Sequence, residues 1–240
     1  MVNKVMRGAD IILLIGDARM PKESFNQEVF DKAQRNGIKV IYVLNKCDLI
    51  KDEEQTFTDP DIPYIIYTSA IKHMSTLRLY KKIREFSKGK DAVVGVVGYP
   101  NTGKSSVINA LKGRKSAPTS SQAGFTRGVQ KIRVSRGIVL LDTPGVIPYK
   151  ERDFSKHAII AAKDPYHLRD PENVVFDLME KEPGIVEKHY KVEVSEDNNY
   201  EEILEKIAMK NNLFLKGRKP DTKRAALIIL SDWQKGRLVR

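Results

Sequence analysis

Gly98-Tyr99-Pro100-Asn101-Thr102-Gly103-Lys104-Ser105 is the stretch on which the reading of this chain turns. It fits G-x-x-x-x-G-K-[ST] and sits between the apolar run 92–97 (AVVGVV) and the helix-patterned segment 105–113 (SSVINALKG). Strand, glycine-rich turn and helix N-terminus in that order let backbone N–H groups wrap a phosphate. Lys104 is then placed to bridge β- and γ-phosphates, and the Ser105 hydroxyl to ligate Mg²⁺. Asn101, Thr102, Gly103 and Ser106 belong to the same phosphate-facing turn.

Outward from that loop, the first half of the chain alternates two patterns. Short continuous apolar runs at 10–16, 39–44 (KVIYVL), 64–67 and 137–141 read as strands buried on both faces. Phe25, Val29, Phe30 and Ala33, and again Leu77, Tyr80, Ile83 and Arg84, follow helical spacing. The stretch between 105–113 and 137–141 reads as loop-rich. Strands separated by helices predict an α/β fold with a mainly parallel sheet flanked by helices. Beyond about Phe154 only helical periodicity remains, as in Tyr200, Ile203, Leu204, Ile207 and Ala208. Ala226, Ile229, Leu230 and Trp233 form another set, with Asp221 as N-cap and Gly236 as stop. The expected organisation is an α/β domain over 1–150, a linker or first helix over 151–164, and a small all-helical domain over 165–240.

Composition narrows the class. The 240 residues carry 42 Lys+Arg against 31 Asp+Glu, a formal charge of +11. Hydrophobic residues make up 41%, enough for a real core and against a disordered chain. The run 11–15 is far too short to span a bilayer, and it ends in the charged turn Gly16-Asp17-Ala18-Arg19 rather than a small-residue cleavage site. The single cysteine, Cys47, cannot form an internal disulfide. A cytoplasmic protein without membrane contact is expected, and the basic excess points to a polyanionic partner.

Asn45-Lys46-Cys47-Asp48 closes the KVIYVL strand. Such an N-K-x-D element reads guanine, because the Asp48 carboxylate accepts from N1–H and the exocyclic amine, a donor pair that adenine lacks. Asn45 would hold the loop and face N7/O6, and the Lys46 stem would cover the base plane. Thr68-Ser69-Ala70 follows the next strand and would set the Ala70 N–H against guanine O6. Asp142-Thr143-Pro144-Gly145 follows the strand GIVLL; there Asp142 reaches Mg²⁺ through water and the Gly145 N–H senses a γ-phosphate. Within Gly124-Phe125-Thr126-Arg127-Gly128, Thr126 is the candidate to complete the Mg²⁺ shell, with Thr119 and Thr102 as alternatives.

These elements are the guanine-nucleotide set of small GTPases in a shuffled order. N-K-x-D and T-S-A come first, and the phosphate loop, Thr126 and D-T-P-G follow. That is a circular permutation, which a compact sheet domain tolerates when its original termini lie close together at the surface. With the early D-A-R-x-P (17–21) and a tail ending D-W-Q-K-G-R-L, the chain resembles, over nearly all its length, the circularly permuted GTPases of ribosome assembly, the YlqF/RbgA-like family. The resemblance implies a GTP- and GDP-binding, GTP-hydrolysing factor of the large ribosomal subunit or its precursor, with an rRNA-contacting helical domain. A monomer is expected.

Catalysis is less complete in the sequence. Many GTPases place a water-orienting Gln just after D-x-x-G, whereas Val146 and Ile147 stand here. This resembles the hydrophobic-substituted GTPases, and Asn101 resembles the phosphate-loop asparagine that holds K⁺ in potassium-activated ones. Slow intrinsic hydrolysis, stimulated by K⁺ and by ribosomes, is the expectation. The family often carries a histidine near an extended N-terminus; none precedes Asp10, and His73, His157, His167 and His189 lie outside the motifs. The general base is therefore unknown, and Lys104, Thr126 and Gly145 are the residues expected to act on the transferring phosphate. A nucleotide-gated RNA-binding module with negligible turnover is the alternative. A P-loop ATPase or kinase is disfavoured by Asp48 and the T-S-A element.

The +11 can be located. No acid lies between Asp91 and Asp142, where Lys104, Lys112, Arg114, Lys115, Arg127, Lys131, Arg133 and Arg136 fall. From Lys216 to the end there are eight Lys/Arg and two Asp, the segment expected to meet RNA phosphates.

Overall fold

The computed structural model describes residues 5–113, 130–135, 137–143, 159–160, 164–193 and 199–239. Two compact units divide the chain, Met1–Arg152 and Asp153–Arg240.

The first unit is built on strands β1 (Ile11–Asp17), β2 (Lys39–Asn45), β3 (Ile65–Tyr67), β4 (Ala92–Gly98), β5 (Gln130–Ser135) and β6 (Ile138–Asp142). They form one sheet in the order β3-β2-β1-β4-β6-β5. Every pairing is parallel except β5 with β6. Helices α1 (Gln27–Arg35), α2 (Thr76–Phe86) and α3 (Lys104–Lys112) supply crossovers. All seven residues of β1 are buried, because helices and loops cover both faces of this central strand. The apolar core accordingly splits in two. Ile12, Leu14, Val29, Phe30 and Tyr42 pack on one face of the sheet, and Leu13, Ile15, Val43, Leu79 and Ile83 on the other.

Departures from the sequence reading are local. Gln130–Ser135, in the stretch read as loop-rich, is an edge strand, and its neighbour β6 starts at Ile138. Ile132 and Val134 alternate with exposed Lys131 and exposed Arg133, a period-two pattern that a half-solvated strand displays. β1 and β2 each run one residue further than their apolar stretches, ending on the polar Asp17 and Asn45.

The second unit holds α4 (Pro171–Lys181), α5 (Ile185–Tyr190), α6 (Tyr200–Lys210) and α7 (Thr222–Gln234). α7 packs against α4 and α6. Its N-cap is Asp221, whose carboxylate accepts from the Arg224 N–H at 2.9 Å. Lys235 caps the other end, and Gly236 (φ 71°) takes the left-handed position just beyond. Trp233 is fully buried and its indole N–H donates to the Ile159 carbonyl at 2.7 Å. Among the described residues no helix is long and apolar enough to cross a membrane.

Candidate functional site

Strand order determines where the motifs meet. β1 leads by way of α1 to β2 and on to β3 on one side, and α2 returns the chain to β4, which opens the other side of the sheet, so the connections diverge between β1 and β4. In an open α/β sheet the crevice beyond the carboxyl ends of the strands at such a point is where ligands bind. The motif residues stand along that edge. Asp17 pairs with Asn45 in the β1/β2 register, Leu44 with Tyr67 just before Thr68, Ile15 with Gly98, and Val96 with Asp142.

The phosphate loop leaves β4 at Gly98. A Cβ there would lie 2.3 Å from the Ile15 carbonyl oxygen, so only glycine lets β4 sit this close to β1. Asn101 (φ 58°) and Gly103 (φ 91°) bend the loop, and Gly103 is the N-cap of α3. The Thr102 hydroxyl donates to the Tyr99 carbonyl at 2.9 Å, and the Lys104 ammonium donates to the same oxygen at 2.7 Å. Lys104 is buried, and that burial pushes its pKa down to about 8, with the Asp142 carboxylate pulling the other way. A buried lysine destabilised as a cation is one that an incoming phosphate would recharge. Asp142 is buried at the end of β6, and beside it the Thr143 hydroxyl donates to the Val96 carbonyl at 2.7 Å. Ser105 and Ser106 lie half-buried on the first turn of α3.

Asn45 joins the two halves of the motif set. Its side-chain amide donates to the Thr102 carbonyl at 2.9 Å, and its carbonyl accepts from the Ala70 N–H at 3.1 Å. One buried amide therefore ties the end of β2 to the phosphate loop and to the T-S-A turn. The Ala70 N–H, expected to face a guanine oxygen, is engaged by Asn45 in this structure. Ser69 holds its own turn, accepting from the Lys72 N–H at 3.2 Å. Asp48 lies in a short 3-10 turn, Cys47–Leu49, with the Lys72 ammonium 3.7 Å from its carboxylate.

Lys46, expected to lie over the base plane, takes a left-handed backbone (φ 65°) and extends its ammonium to Asp17 Oδ2 at 2.8 Å. Arg19 grips the same carboxylate in a fork, Nε to Oδ1 at 3.0 Å and Nη2 to Oδ2 at 2.9 Å. Burial by itself would raise the Asp17 pKa, but the Arg19 and Lys46 charges and hydrogen bonds outweigh it and hold the carboxyl well below the usual range. This triad under the base-reading loop was missed in the sequence. Its only trace there is a pair of opposite charges, Asp17 and Arg19, directly after a fully apolar strand.

Thr126 and Gly145 lie outside the described residues, as does His157. His73 sits in a turn with a left-handed backbone, His167 is exposed near Asp164, and His189 packs edge-on to Tyr190. No group of three or more His, Cys, Asp or Glu able to hold a metal exists among the described residues. Ser105 and Asp142 are hard oxygen donors, and a site with so few protein ligands suits Mg²⁺, which keeps waters and is completed by phosphate oxygens.

Fold and edge together define a P-loop GTPase domain with permuted motif order, and the comparisons agree. The family model for 50S ribosome-binding GTPases matches residues 93–215, and that for RsgA GTPases matches 8–150. An uncharacterized GTP-binding protein of Methanocaldococcus jannaschii is 35% identical over 99% of this chain and 65% of its own length. Nucleolar GTP-binding protein 2 of Yarrowia lipolytica is 32% identical over 98% of this chain and 48% of its own. The chain thus spans about half to two thirds of the length of these relatives. Among solved structures, GNP-bound YlqF from T. maritima superposes with a TM-score of 0.70 at 25% identity, covering 99% of this chain and 93% of that one. Its GDP-bound form gives 0.70 at 26%, covering 100% and 96%. The chain belongs to the circularly permuted GTPases of the YlqF type.

Proposed function

We propose that the protein binds and hydrolyses GTP, and that its nucleotide state controls binding to the large ribosomal subunit or its precursor in the cytoplasm. The observation that carries the reading is the carboxyl edge of the sheet, where the Asn45 amide of N-K-x-D ties T-S-A to the phosphate loop and Asp142 ends the strand beside β4. In this reading Asp48 selects guanine and the phosphate-loop amides with Lys104 hold the β- and γ-phosphates. Ser105 and Asp142, with Thr126, hold Mg²⁺, which supplies charge neutralisation on the phosphates. Asn101 holds K⁺, Gly145 senses the γ-phosphate, and residues 1–150, 151–164 and 165–240 act as nucleotide domain, connection and RNA-contacting domain.

The partner is supported by the description of the matching family, 50S ribosome-binding GTPases, and by the name of the nucleolar relatives. D-T-P-G begins at Asp142, the last residue of β6, and in sequence precedes the second unit, so a γ-phosphate contact has a short covalent route to an RNA-contacting domain. Sedimentation with ribosomal subunits tests the reading: the GTP-analogue and GDP forms should differ at least tenfold in affinity, and equal affinity refutes it. Hydrolysis should be slow alone and faster with KCl than NaCl and with subunits. Fast, cation-indifferent turnover of the isolated protein contradicts the catalytic part.

A further inference from the structure

In the second unit, the segment joining α6 to α7 is a formed turn with an unusual surface. Its base is fixed from both sides. The buried Leu213 donates its N–H to the Ala208 carbonyl at the end of α6 (2.8 Å) and accepts from the Asp221 N–H (3.0 Å) at the start of α7. Phe214 and Pro220 form an antiparallel bridge, the Leu215 N–H donates to the Lys219 carbonyl at 2.8 Å, and Gly217 (φ 83°) with Arg218 (φ 59°) makes the reversal.

On this fixed base every residue from 214 to 219 is exposed. Phe214 and Leu215 stay 45% and 55% accessible, although the core of the unit lies next to them in the sequence. Lys216, Arg218 and Lys219 share the turn with the ring, and the exposed Lys223 and Arg224 follow on the first turn of α7. That helix has no acid in its first turn, so these cations gain nothing from the helix dipole, which favours negative charge there. Asp221, the one acid in the stretch 210–231, is used as the cap. Folding therefore explains neither the exposed ring nor the concentration of positive charge. A ligand with both a flat apolar face and a line of negative charge explains both.

We infer that the turn 214–220 is a stacking site for single-stranded RNA. The Phe214 ring takes the face of an unpaired base, and Lys216, Arg218, Lys219 and Arg224 take the adjacent phosphates. In a duplex the base faces are already stacked and only the phosphates are offered, so the ring distinguishes the two forms. The inference rests on the proposed RNA contact of residues 165–240 and adds to it the element and the form of RNA.

The test is fluorescence anisotropy of the full chain with a labelled mixed-sequence single-stranded RNA and with an RNA duplex of the same length, across 50 to 200 mM salt. Phe214→Ala should weaken single-strand binding about tenfold at unchanged salt dependence, the range of one lost base–aromatic stack. It should leave duplex binding within about twofold, and Phe214→Trp should restore the single-strand affinity. Arg218→Glu with Lys219→Glu should weaken both forms and flatten the salt dependence. With Phe214 this accessible, thermal melts of the alanine and wild-type proteins should coincide, which separates lost stacking from lost folding. Equal single-strand affinity of Phe214→Ala and wild type, with RNA still bound, overturns this inference and leaves the RNA contact standing. Absence of RNA binding by the wild type at 50 mM salt overturns the contact itself. Phe214-dependent capture of an acidic peptide with no RNA bound overturns it in favour of a protein partner.

Discussion

Replacing Asp17 by Asn removes one negative charge from beneath the base-reading loop and leaves two cations facing a neutral amide. Arg19 and Asp17 are almost fully buried, with side-chain exposure of 1% each, and Lys46 is 15% exposed. Removing one partner of a buried ion pair costs about 3–5 kcal/mol, because the remaining charge is left desolvated. The total stability of a domain is about 5–15 kcal/mol. For a chain of this size each kcal/mol shifts the melting temperature by about 2–4 °C. Asp17→Asn should therefore melt roughly 6–20 °C below wild type. Adding Lys46→Met should recover part of that loss, since one orphaned cation disappears. Acid denaturation gives a second reading of the same contact. The folded carboxyl titrates below its unfolded value of about 4, so its contribution is fully present above that pH and is lost as the pH falls further. Wild type should lose stability more steeply than Asp17→Asn below about pH 4. Differential scanning calorimetry from pH 3 to 7 reads both effects. Melting points within about 2 °C of each other at pH 7, where about 6 °C or more is expected, would refute the idea that this carboxylate holds the loop.

Two further predictions concern the phosphate loop. Because Lys104 has its pKa lowered to about 8, nucleotide binding above that pH should take up a proton. Calorimetry of GDP binding at pH 8.5 in buffers of different ionisation enthalpy should show about three quarters of a proton absorbed, and affinity should fall about threefold from pH 7.5 to 8.5. Buffer-independent heats would contradict it. Gly103→Ala puts a Cβ 2.2 Å from Asn45 Nδ2 at φ 91°, a backbone costing a non-glycine residue roughly 1–2 kcal/mol. The Asn45 amide must then move from Thr102 and Ala70, so GDP affinity should drop tenfold or more, that is about 1.4 kcal/mol, and an unchanged affinity would show that the bridge does not shape the site.

How far the sequence could be read depended on what each residue needed in order to announce itself. β1 and β2 were visible because strands buried on both faces must be free of charge along the buried run, and residues 11–16 and 40–44 are. β5 was not, because an edge strand with one solvated face shows only the alternation of Ile132 and Val134, easily lost beside a glycine-rich stretch. In the second unit α7 declared itself by its cap and period. α4 has the same kind of face in Val174, Val175, Leu178 and Met179, with Pro171 at its first turn, but no motif drew the eye to it. The nucleotide motifs could be recognised one by one, whereas their contacts could not. Asn45 meets the Thr102 carbonyl across a separation of 57 residues, and Lys46 meets Asp17 across 29. Those meetings follow from register, which a linear pattern does not contain. Asp17 lies opposite Asn45 only because β1 and β2 pair in parallel from Ile11 and Lys39 onward.

Register also makes the permuted order workable. Moving the chain ends alters which motif is read first, but not which strands are neighbours. What the order 45–48, 68–70, 98–105, 142–145 demands is that the first strand of the chain, at the inner edge of the half carrying 45–48 and 68–70, lie beside the strand that opens the half carrying 98–105 and 142–145. β1 and β4 do so, with Ile15 opposite Gly98. The close approach forbids any side chain at Gly98, since its Cβ would strike the Ile15 carbonyl. The first glycine of the phosphate motif thus sits at two places at once, the start of the phosphate loop and the seam between the two halves of the sheet. A substitution there should damage folding as well as nucleotide binding, in contrast to Gly103, where the obstructing atom belongs to a side chain.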